Sequence, residues 1–268
     1  MRHNKTIASQ FYLTSPMPCP YLPDRMERKL FTSLNAGNAQ AMHNSLALQG
    51  FRRSQNILYR PACKNCIACF PVRINAEDFI PSKTQKRTLK RNKFLTRKIR
   101  SPWATEEQYH LFKSYLQARH SDGDMTEMEM HDFASMIEET SVFTRVVEYR
   151  DAESNKLAAA CLTDFIEDGV SLVYSFFRPD LPKQSLGSHI ILDHVQLARE
   201  VALKCVYLGY WVPGTQKMGY KSSFTGLEIF HKGEWSVLAD EEQYYPQNHK
   251  SACASISCQL SNMVDLPK

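Results

Sequence analysis

The chain has 268 residues, of which 43% are hydrophobic and 23% are charged, and its formal net charge at pH 7 is +5. This balance excludes a chain that is disordered throughout, because disorder requires few apolar residues and a large net charge. The longest apolar runs, such as residues 157–162, are far shorter than the roughly 20 residues that a membrane-spanning helix needs. The first ten residues contain no apolar segment typical of a signal peptide, so we expect a cytoplasmic protein with one large or two small domains.

The first hundred residues are predicted to hold a helix, two short strands and a second, strongly basic helix. Apolar residues at helical spacing predict the first helix, and short apolar runs on either side of a cysteine-rich loop predict the strands. In chain order these elements cover residues 24–50, 56–60, 69–74 and 83–100. Ser101-Pro102 marks a boundary, which predicts an N-terminal basic, cysteine-bearing domain of residues 1–102 and a C-terminal domain of residues 103–268.

The C-terminal domain is predicted to combine helices with successive antiparallel strands. Helices are expected over residues 106–119 and 186–204, and strands over residues 143–149, 157–166, 170–177 and 205–211. Residues 220–230 fit a helix or a strand, and the polar tail from Asp240 onward is expected to be partly disordered. The fold class that follows is α+β, with a mixed sheet flanked by helices.

The charge is distributed unevenly along the chain. Residues 1–100 hold 19 Lys and Arg against 4 Asp and Glu, whereas residues 101–268 carry a net charge of −10. In the predicted basic helix, spacings of three and four residues place several cations on one face. Four of these cations are Lys86, Arg87, Lys90 and Arg91. Such a face predicts a nucleic-acid partner attracted through its phosphates. The alternative is a solvated basic helix that folds back onto the acidic C-terminal half.

Four of the eight cysteines form a candidate metal site. Cys63, Cys66 and Cys69 lie in one tight run, and Cys19 lies in a Pro-rich segment. Thiolates at this spacing can face one ion, and the run is similar to the start of a ferredoxin-type cluster sequence. In that sequence a fourth Cys follows where this chain has Arg73, so a four-thiolate site would need Cys19. The spacing predicts a structural or regulatory iron–sulfur cluster or zinc; the alternatives are reduced cysteines in a compact loop or a redox-sensitive disulfide.

The predicted order of strand, strand, loop, long helix and strand resembles the N-acetyltransferase superfamily. Its loop Q/R-x-x-G-x-G/A binds the pyrophosphate of coenzyme A at a helix N-terminus, and this chain has Gln184-Ser-Leu-Gly187-Ser-His189 there. His189 replaces a small residue and would crowd a pyrophosphate. The resemblance implies an acetyltransferase-like (GNAT-like) C-terminal domain, and the altered loop suits an acyl carrier other than coenzyme A.

Longer strings resemble one particular family from about residue 10 to residue 238. The strings are Cys19-Pro-Tyr-Leu-Pro-Asp-Arg25, Gly50-Phe-Arg-Arg-Ser54, Tyr59-Arg-Pro-Ala-Cys63 with the cysteine run, Arg91-Asn92, Arg119-His-Ser-Asp-Gly-Asp-Met125, Tyr207-Leu-Gly-Tyr-Trp-Val212 and Lys217-Met-Gly-Tyr-Lys221. Together they resemble the bacterial aspartate/glutamate leucyltransferases, relatives of the arginyl-tRNA–protein transferases. The resemblance implies transfer of leucine from leucyl-tRNA to proteins that begin with Asp or Glu, which tags them for N-degron proteolysis.

The implied reaction is aminolysis of an activated ester, which needs no cofactor to supply energy. It mainly requires aligned reactants and a stabilised oxyanion. Because an α-amine has a pKa of roughly 7.7–8.0, part of it is neutral at pH 7 and a strong general base is optional. Where many family members have Tyr-Asp-Pro, this chain has Phe177-Arg178-Pro179, so a role of that acid would pass to Asp180. Tyr174, Tyr207 and Tyr210 are candidates to bind ester oxygens or stack on the terminal adenine, unless they are core residues.

An acidic N-terminal residue calls for a cationic partner in the enzyme. The candidates are Lys217, Lys221, Arg178, Arg52 and Arg53. Gln184 and His189 are candidates to contact the acceptor end of the tRNA, although a histidine at a helix N-terminus is as often structural. Three rival interpretations remain open: arginyl-tRNA as the donor, an acetyl-coenzyme A N-acetyltransferase with a nucleic-acid-binding module, and a non-enzymatic nucleic-acid-binding protein.

Overall fold

A computed structural model describes residues 10–34, 37–119 and 123–245 of the chain. In this part of the chain no helix is both long and apolar enough to cross a membrane. The chain divides into two compact units. The first unit comprises Met1–Val72, Gly209–Ser223 and Glu228–Lys268, and the second comprises Arg73–Leu208 and Phe224–Leu227. The boundary expected at residues 101–102 stays a prediction, and most of the tail expected to be disordered lies outside the described residues.

Short strands and two helices make up the first hundred residues. They are β1 (Tyr12–Leu13), β2 (Met17–Pro18), β3 (Met26–Glu27), β4 (Lys29–Ser33), α1 (Ala39–Leu48), β5 (Arg52–Ser54), β6 (Ile57–Pro61), β7 (Phe70–Asn75), α2 (Lys83–Arg91) and β8 (Leu95–Arg100). Longer elements follow: α3 (Glu106–Arg119), α4 (Met130–Glu138), β9 (Thr144–Asp151), β10 (Leu157–Ile166), β11 (Gly169–Phe177), α5 (Leu186–Glu200), β12 (Cys205–Trp211), β13 (Leu227–His231) and β14 (Glu234–Val237).

The first unit contains an antiparallel sheet with the strand order β1-β4-β6-β5. The helix predicted from residue 24 is therefore wrong in its first half, since β3 and β4 occupy residues 26–33 and α1 begins at Ala39. Leu30, Thr32 and Leu34 are buried while the residues between them are more exposed, which is the period of a half-buried strand. Leu30 and Leu34 are also four residues apart, so these apolar positions fit either period.

The second unit is built on the strand order β12-β11-β10-β9-β8. Strands β8 to β11 are antiparallel neighbours, and β11 runs parallel to β12 after the crossover through α5. On one face of β10, Ala160 and Leu162 pack with Phe112 of α3 and Phe133 of α4. On its other face, Ala159 and Cys161 pack with Ile190 and Leu197 of α5. Helices on both faces explain why β10 is an almost continuous apolar run, and the predicted mixed sheet flanked by helices is confirmed.

The basic helix is shorter than predicted. Ser82 caps α2, because its hydroxyl accepts a hydrogen bond from the Gln85 N–H at 3.3 Å while the Gln85 side chain accepts one from the Ser82 N–H at 2.8 Å. The helix ends at Arg91, and residues 95–100 form β8 at the edge of the sheet, paired with β9. The prediction of a helix to residue 100 is wrong because a charge-rich edge strand has no apolar run to reveal it.

Residues 220–230, whose sequence pattern fits either a helix or a strand, contain both kinds of structure. A 3-10 helix covers Gly219–Ser223, and β13 follows and pairs with β14. Further 3-10 helices lie at Asp124–Glu127, Pro182–Gln184 and Glu242–Tyr244. The last of these holds Tyr244 against Phe70, with ring centroids 5.2 Å apart, and against Trp211, at 6.2 Å.

Candidate functional site

Four cysteines of the first unit line one cavity of about 100 Å³, which we call the cysteine pocket. Cys63, Cys66 and Cys69 come from the loop between β6 and β7, and Cys19 comes from the turn between β2 and β3. The Cys19 N–H closes this turn by donating to the Arg25 carbonyl at 2.8 Å. The structure thus brings together the four residues that the spacing singled out.

Burial raises the pKa of two of these thiols. It raises the pKa of Cys69, and the negative charges of the other three thiolates raise this pKa further. Burial likewise raises the pKa of Cys63, whose sulfur accepts a hydrogen bond from the Arg28 N–H at 3.4 Å. Cys63 and Cys69 are therefore thiols at neutral pH unless a cation in the pocket stabilises their thiolates.

The metal interpretation of the cysteine pocket is unconfirmed. Within the described ranges, no three or more Cys, His, Asp or Glu side chains are arranged so that they could hold a metal ion. In ligand type, four thiols lining one cavity match both zinc and an iron–sulfur cluster. The ligand types therefore suit such a group, whereas the arrangement of the described side chains does not, and its presence stays a proposal.

Arg52 lines the cysteine pocket beside the cysteines. It lies on β5 opposite Tyr59 of β6, which lines the same cavity. The Arg52 guanidinium lies directly against Gly209: a Cβ on Gly209 would fall 2.0 Å from Arg52 Nη1. Gly209 also has a φ of +78°, which other residues adopt only with strain. Arg53, the neighbouring candidate, is buried and donates to the Gln55 carbonyl at 2.8 Å.

Tyr210, which lines the cysteine pocket, forms a buried pair with Lys221. The Tyr210 hydroxyl donates to the carbonyls of Tyr59 at 2.9 Å and Gly50 at 3.2 Å. The Lys221 amine donates to the Tyr210 carbonyl at 2.5 Å. Burial lowers the pKa of Lys221 from its ordinary value of 10.5 to about 7, and the adjacent Arg52 charge contributes. Lys221, which was predicted to bind the acidic substrate, is thus a buried side chain that is only 4% exposed.

Lys217 lies in a different place from Lys221. It is exposed and lines an open cavity of about 610 Å³ in the first unit, which we call the proline groove. The groove is formed by residues 20–23 and 213–217 together with Tyr245. It shares Pro20, Tyr21 and Leu22 with the cysteine pocket, so one segment forms a wall of both cavities.

In the second unit, two of the candidate residues engage each other. The Arg178 guanidinium donates to Asp180 through Nε at 3.0 Å and through Nη2 at 2.5 Å. This bidentate pairing lowers the pKa of Asp180. Tyr174 of β11 is half-buried near Phe112, with ring centroids 6.0 Å apart, and burial raises its pKa. Tyr207 donates to Asp168 at 2.9 Å and accepts from Arg73 at 2.8 Å, which gives its hydroxyl a structural role.

The cations of α2 point outward, next to the N-terminus of α5. Gln85, Thr88 and Asn92 face inward and are buried, whereas Lys86, Arg87, Lys90 and Arg91 are exposed. The Asn92 side chain donates to the Gln184 carbonyl at 2.8 Å, and Arg91 donates to the Lys183 carbonyl. The structure therefore places the predicted tRNA-binding residues of α2 beside Gln184, just before α5 begins.

His189 is separated from this surface. It is 7% exposed and lies against Tyr149, with ring centroids 5.5 Å apart. Burial lowers its pKa, and its Nδ1 has no hydrogen-bond partner among the described residues. A buried neutral imidazole cannot contact a phosphate unless the loop before α5 moves.

Both interpretations of the basic residues 83–100, an exposed phosphate-binding face and cations paired with the acidic half, apply to different parts of this segment. In β8, Arg97 pairs with Asp193 at 3.1 Å and with Glu200, both on α5. Arg100 lies 3.8 Å from Glu148 of β9. These cations of β8 fold back onto acidic residues of the C-terminal half, and the cations of α2 stay exposed.

The cysteine pocket is also lined by Tyr21, Lys29 and Tyr59, which were not among the candidate residues predicted from the sequence. For Tyr21, the position next to Cys19 and Pro20 could have indicated its place in the pocket.

Two family models match the chain. The model described as "Arginine-tRNA-protein transferase, N terminus" matches residues 17–87, and the one described as "Arginine-tRNA-protein transferase, C terminus" matches residues 107–231. An aspartate/glutamate leucyltransferase of Ruegeria sp. (strain TM1040) is 54% identical over 100% of this chain and 97% of its own. One of Dinoroseobacter shibae is 53% identical over 100% of this chain and 96% of its own.

Solved structures show more distant similarity. FemX aligns with 72% of this chain and 66% of its own at 7% identity, with a TM-score of 0.45. The L-PGS of Bacillus licheniformis aligns with 58% of this chain and 50% of its own at 12% identity, with a TM-score of 0.43. The full-length relatives and the two family models confirm the resemblance seen in the sequence strings, and the chain belongs to the aspartate/glutamate leucyltransferase family.

Proposed function

We propose that the chain is an aminoacyltransferase that moves leucine from leucyl-tRNA to the N-terminal amine of proteins beginning with Asp or Glu. The observation that carries the proposal is the match over the whole chain, at 54% identity, to a protein named for this activity. Tagging of the acceptors for N-degron proteolysis and a cytoplasmic location belong to the same proposal. No cofactor is required, because the ester bond of an aminoacyl-tRNA already carries the energy of the new amide.

In this proposal the first unit reads the acidic side chain of the acceptor. A carboxylate that leaves water is costly unless an opposite charge receives it. Arg52 lines the cysteine pocket, and the buried Lys221 lies beside it, so a carboxylate there meets a positive field. Arg178, which is paired with Asp180, and Arg53, which donates to a backbone carbonyl, do not line this pocket. Arg52 is therefore our first candidate for the carboxylate ligand.

The second unit supplies the surface for the tRNA. The exposed face of α2 attracts phosphates, and its C-terminal end lies beside the loop before α5. In the first unit, Tyr210 stays a predicted candidate whose hydroxyl already donates to backbone carbonyls. In the second unit, Tyr174 stays a candidate for the reaction centre, and its hydroxyl is protonated at neutral pH because burial raises its pKa. Such a hydroxyl donates a hydrogen bond and can stabilise a developing oxyanion.

We also keep the metal site as a proposal. Cys19, Cys63, Cys66 and Cys69 would hold zinc or an iron–sulfur cluster, because they line one cavity. The cavity measures about 100 Å³, so the metal and the acceptor side chain are alternative occupants of the cysteine pocket. The group would cross-link the β2–β3 turn to the loop after β6. Its role would be structural or regulatory, and it would take no part in ester aminolysis.

The test is an N-terminal transfer assay with purified protein. Peptides that begin with Asp, Glu, Asn, Arg or Ala are incubated with leucyl-tRNA, arginyl-tRNA or acetyl-coenzyme A, without ATP. We expect leucine on the Asp and Glu peptides alone. Equal labelling of the Ala peptide would overturn the acidic specificity, transfer from arginyl-tRNA alone would change the donor, and transfer from acetyl-coenzyme A alone would favour an N-acetyltransferase.

A further inference from the structure

The proline groove is a cavity that the proposed transfer reaction leaves without a role. Its wall of residues 20–22 is also a wall of the cysteine pocket. A side chain held in the pocket by Arg52 would therefore leave the following residues of the same chain at the groove. The pocket, of about 100 Å³, suits one small side chain, whereas the groove, of about 610 Å³, has the size of sites that bind drug-sized ligands.

The lining of the groove is apolar with one cation. Pro20, Pro23 and Pro213 contribute no N–H groups, and the half-buried side chains of Tyr21 and Leu22 supply apolar surface. The Thr215 hydroxyl is engaged with the Val212 carbonyl at 2.8 Å. Among the described residues that line the groove, Lys217 is the one charged side chain, and none carries a carboxylate. This chemistry favours apolar and acidic side chains and repels basic ones.

The groove is held in shape before any chain enters it. Gly214 has a φ of +75°, and a Cβ there would lie 3.1 Å from the Tyr245 ring, so the loop packs tightly on Tyr245. The neighbouring Tyr244 is fixed in the aromatic cluster of Phe70 and Trp211. A site that is already ordered loses little conformational entropy when it binds an extended peptide.

We propose that the proline groove binds the second and third residues of the acceptor protein, with Lys217 selecting against Lys and Arg at these positions. The proposal rests on the transfer function proposed above and deepens it: the protein reads an N-terminal segment, of which the acidic first residue is one part. Acceptors with a basic second residue are poor substrates even when they begin with Asp or Glu.

The experiment compares Asp-Leu, Asp-Glu and Asp-Lys peptides that are otherwise identical, with the wild type and Lys217→Glu. We expect the wild type to use Asp-Glu about fivefold more efficiently than Asp-Lys at low salt, with a smaller ratio at about 0.5 M NaCl, as for an exposed charge pair. Lys217→Glu should reverse this preference. Lys232→Glu is the matched control, because Lys232 is an exposed lysine of the same unit that lines neither cavity.

The outcomes separate the groove from the reaction itself. One outcome is that the wild type transfers leucine while Lys217→Glu shows the same ratio of transfer efficiencies for the Asp-Glu and Asp-Lys peptides as the wild type. In that case the groove proposal is wrong and the proposed function stands. If no peptide is leucylated, the proposed function fails first. Tyr245→Ala gives a second measurement, and we expect it to lower the preference for Asp-Leu over Asp-Gly peptides. The Asp to Asn ratio at the first position should stay at the wild-type value in Lys217→Glu, because Arg52 reads that side chain.

Discussion

Lys221 places an ionisable amine inside the first unit, where its charge opposes folding. The amine donates to the Tyr210 carbonyl and lies beside Arg52, so a proton on it adds a second positive charge to a buried region. The folded protein therefore binds this proton less tightly than the unfolded chain does. A buried amine that destabilises the fold has a functional reason if its positive charge attracts the carboxylate of the acceptor.

We predict that Lys221→Met changes the pH dependence of stability. The pKa of Lys221 is 10.5 when unfolded and about 7 when folded, so the unfolded state holds more protons between these values and wild-type stability falls as pH falls through this window. Relative to wild type, the variant should gain up to about 1.4 kcal/mol for each pH unit from pH 10 to pH 7. Urea denaturation of the wild type and the variant at several pH values measures this difference. A constant difference across these pH values would place the pKa of Lys221 near the ordinary value.

The carboxylate proposal is tested at Arg52. Arg52→Gln keeps a polar side chain but removes the charge, and a charge-assisted hydrogen bond is worth about 1.5–3 kcal/mol. We expect the ratio of transfer efficiencies for Asp and Asn peptides to fall about ten- to a hundredfold, with leucyl-tRNA binding little changed. Arg178→Gln is the control, since Arg178 is paired with Asp180. A fall in the ratio for Arg178→Gln alone would move the carboxylate site to the second unit.

At the scale of elements, α2 separates two kinds of side chain on its two faces. Its inward face is polar but buried, and Asn92 bonds it to the loop before α5, so this contact is kept when the outer charges are changed. This makes α2 a suitable element in which to test phosphate binding without unfolding the protein.

Replacing Lys86, Arg87, Lys90 and Arg91 together with Gln should weaken tRNA binding and flatten its salt dependence. Each phosphate that the protein no longer neutralises removes about 0.7–0.9 from the slope of log K against log salt, so we expect the loss of four cations to lower the slope by roughly three. Binding titrations at several salt concentrations measure it. A variant with Lys156, Lys204 and Lys232 changed to Gln removes positive charge elsewhere and should keep its slope. An unchanged slope in the α2 variant would show that this helix does not contact phosphate.

The loop between β6 and β7 and the turn between β2 and β3 are the elements that the cysteines join. If the metal proposal holds, anaerobically purified protein should contain stoichiometric zinc or iron, and Cys66→Ala should lose it. Cys161→Ala, which changes a core cysteine of the second unit, should retain it. Elemental analysis makes the measurement, and wild-type protein without metal would leave the redox-sensitive loop as the remaining interpretation.

Long elements of the second unit could be predicted from the sequence because their apolar patterns are long. The strand over residues 157–166 and the helix over residues 106–119 match β10 and α3 at both ends. Residues 26–33 and 95–100 could not be predicted: the first fits two periods, and the second is an edge strand rich in charge. For the candidate site, thiol spacing pointed to a set that the structure does bring together. The contrast between buried Lys221 and exposed Lys217 depends on tertiary packing, which no local pattern contains.

At the scale of the whole molecule, the two units are not consecutive pieces of chain. The first unit begins with the N-terminal residues but includes Gly209–Ser223, which contains both Tyr210 and Lys221. A fragment that ends at residue 102, where the sequence suggests a boundary, would keep all four pocket cysteines and Arg52. It would lack Gly209, on which the Arg52 guanidinium lies.

This interleaving of the units has a consequence for the newly made protein. During synthesis the four pocket cysteines leave the ribosome long before Tyr210 and Lys221 do, whereas the segment Arg73–Leu208 emerges as one continuous piece and can begin to fold. The cysteine pocket is therefore completed late, and its thiols stay accessible to oxidants and to metal ions through most of translation.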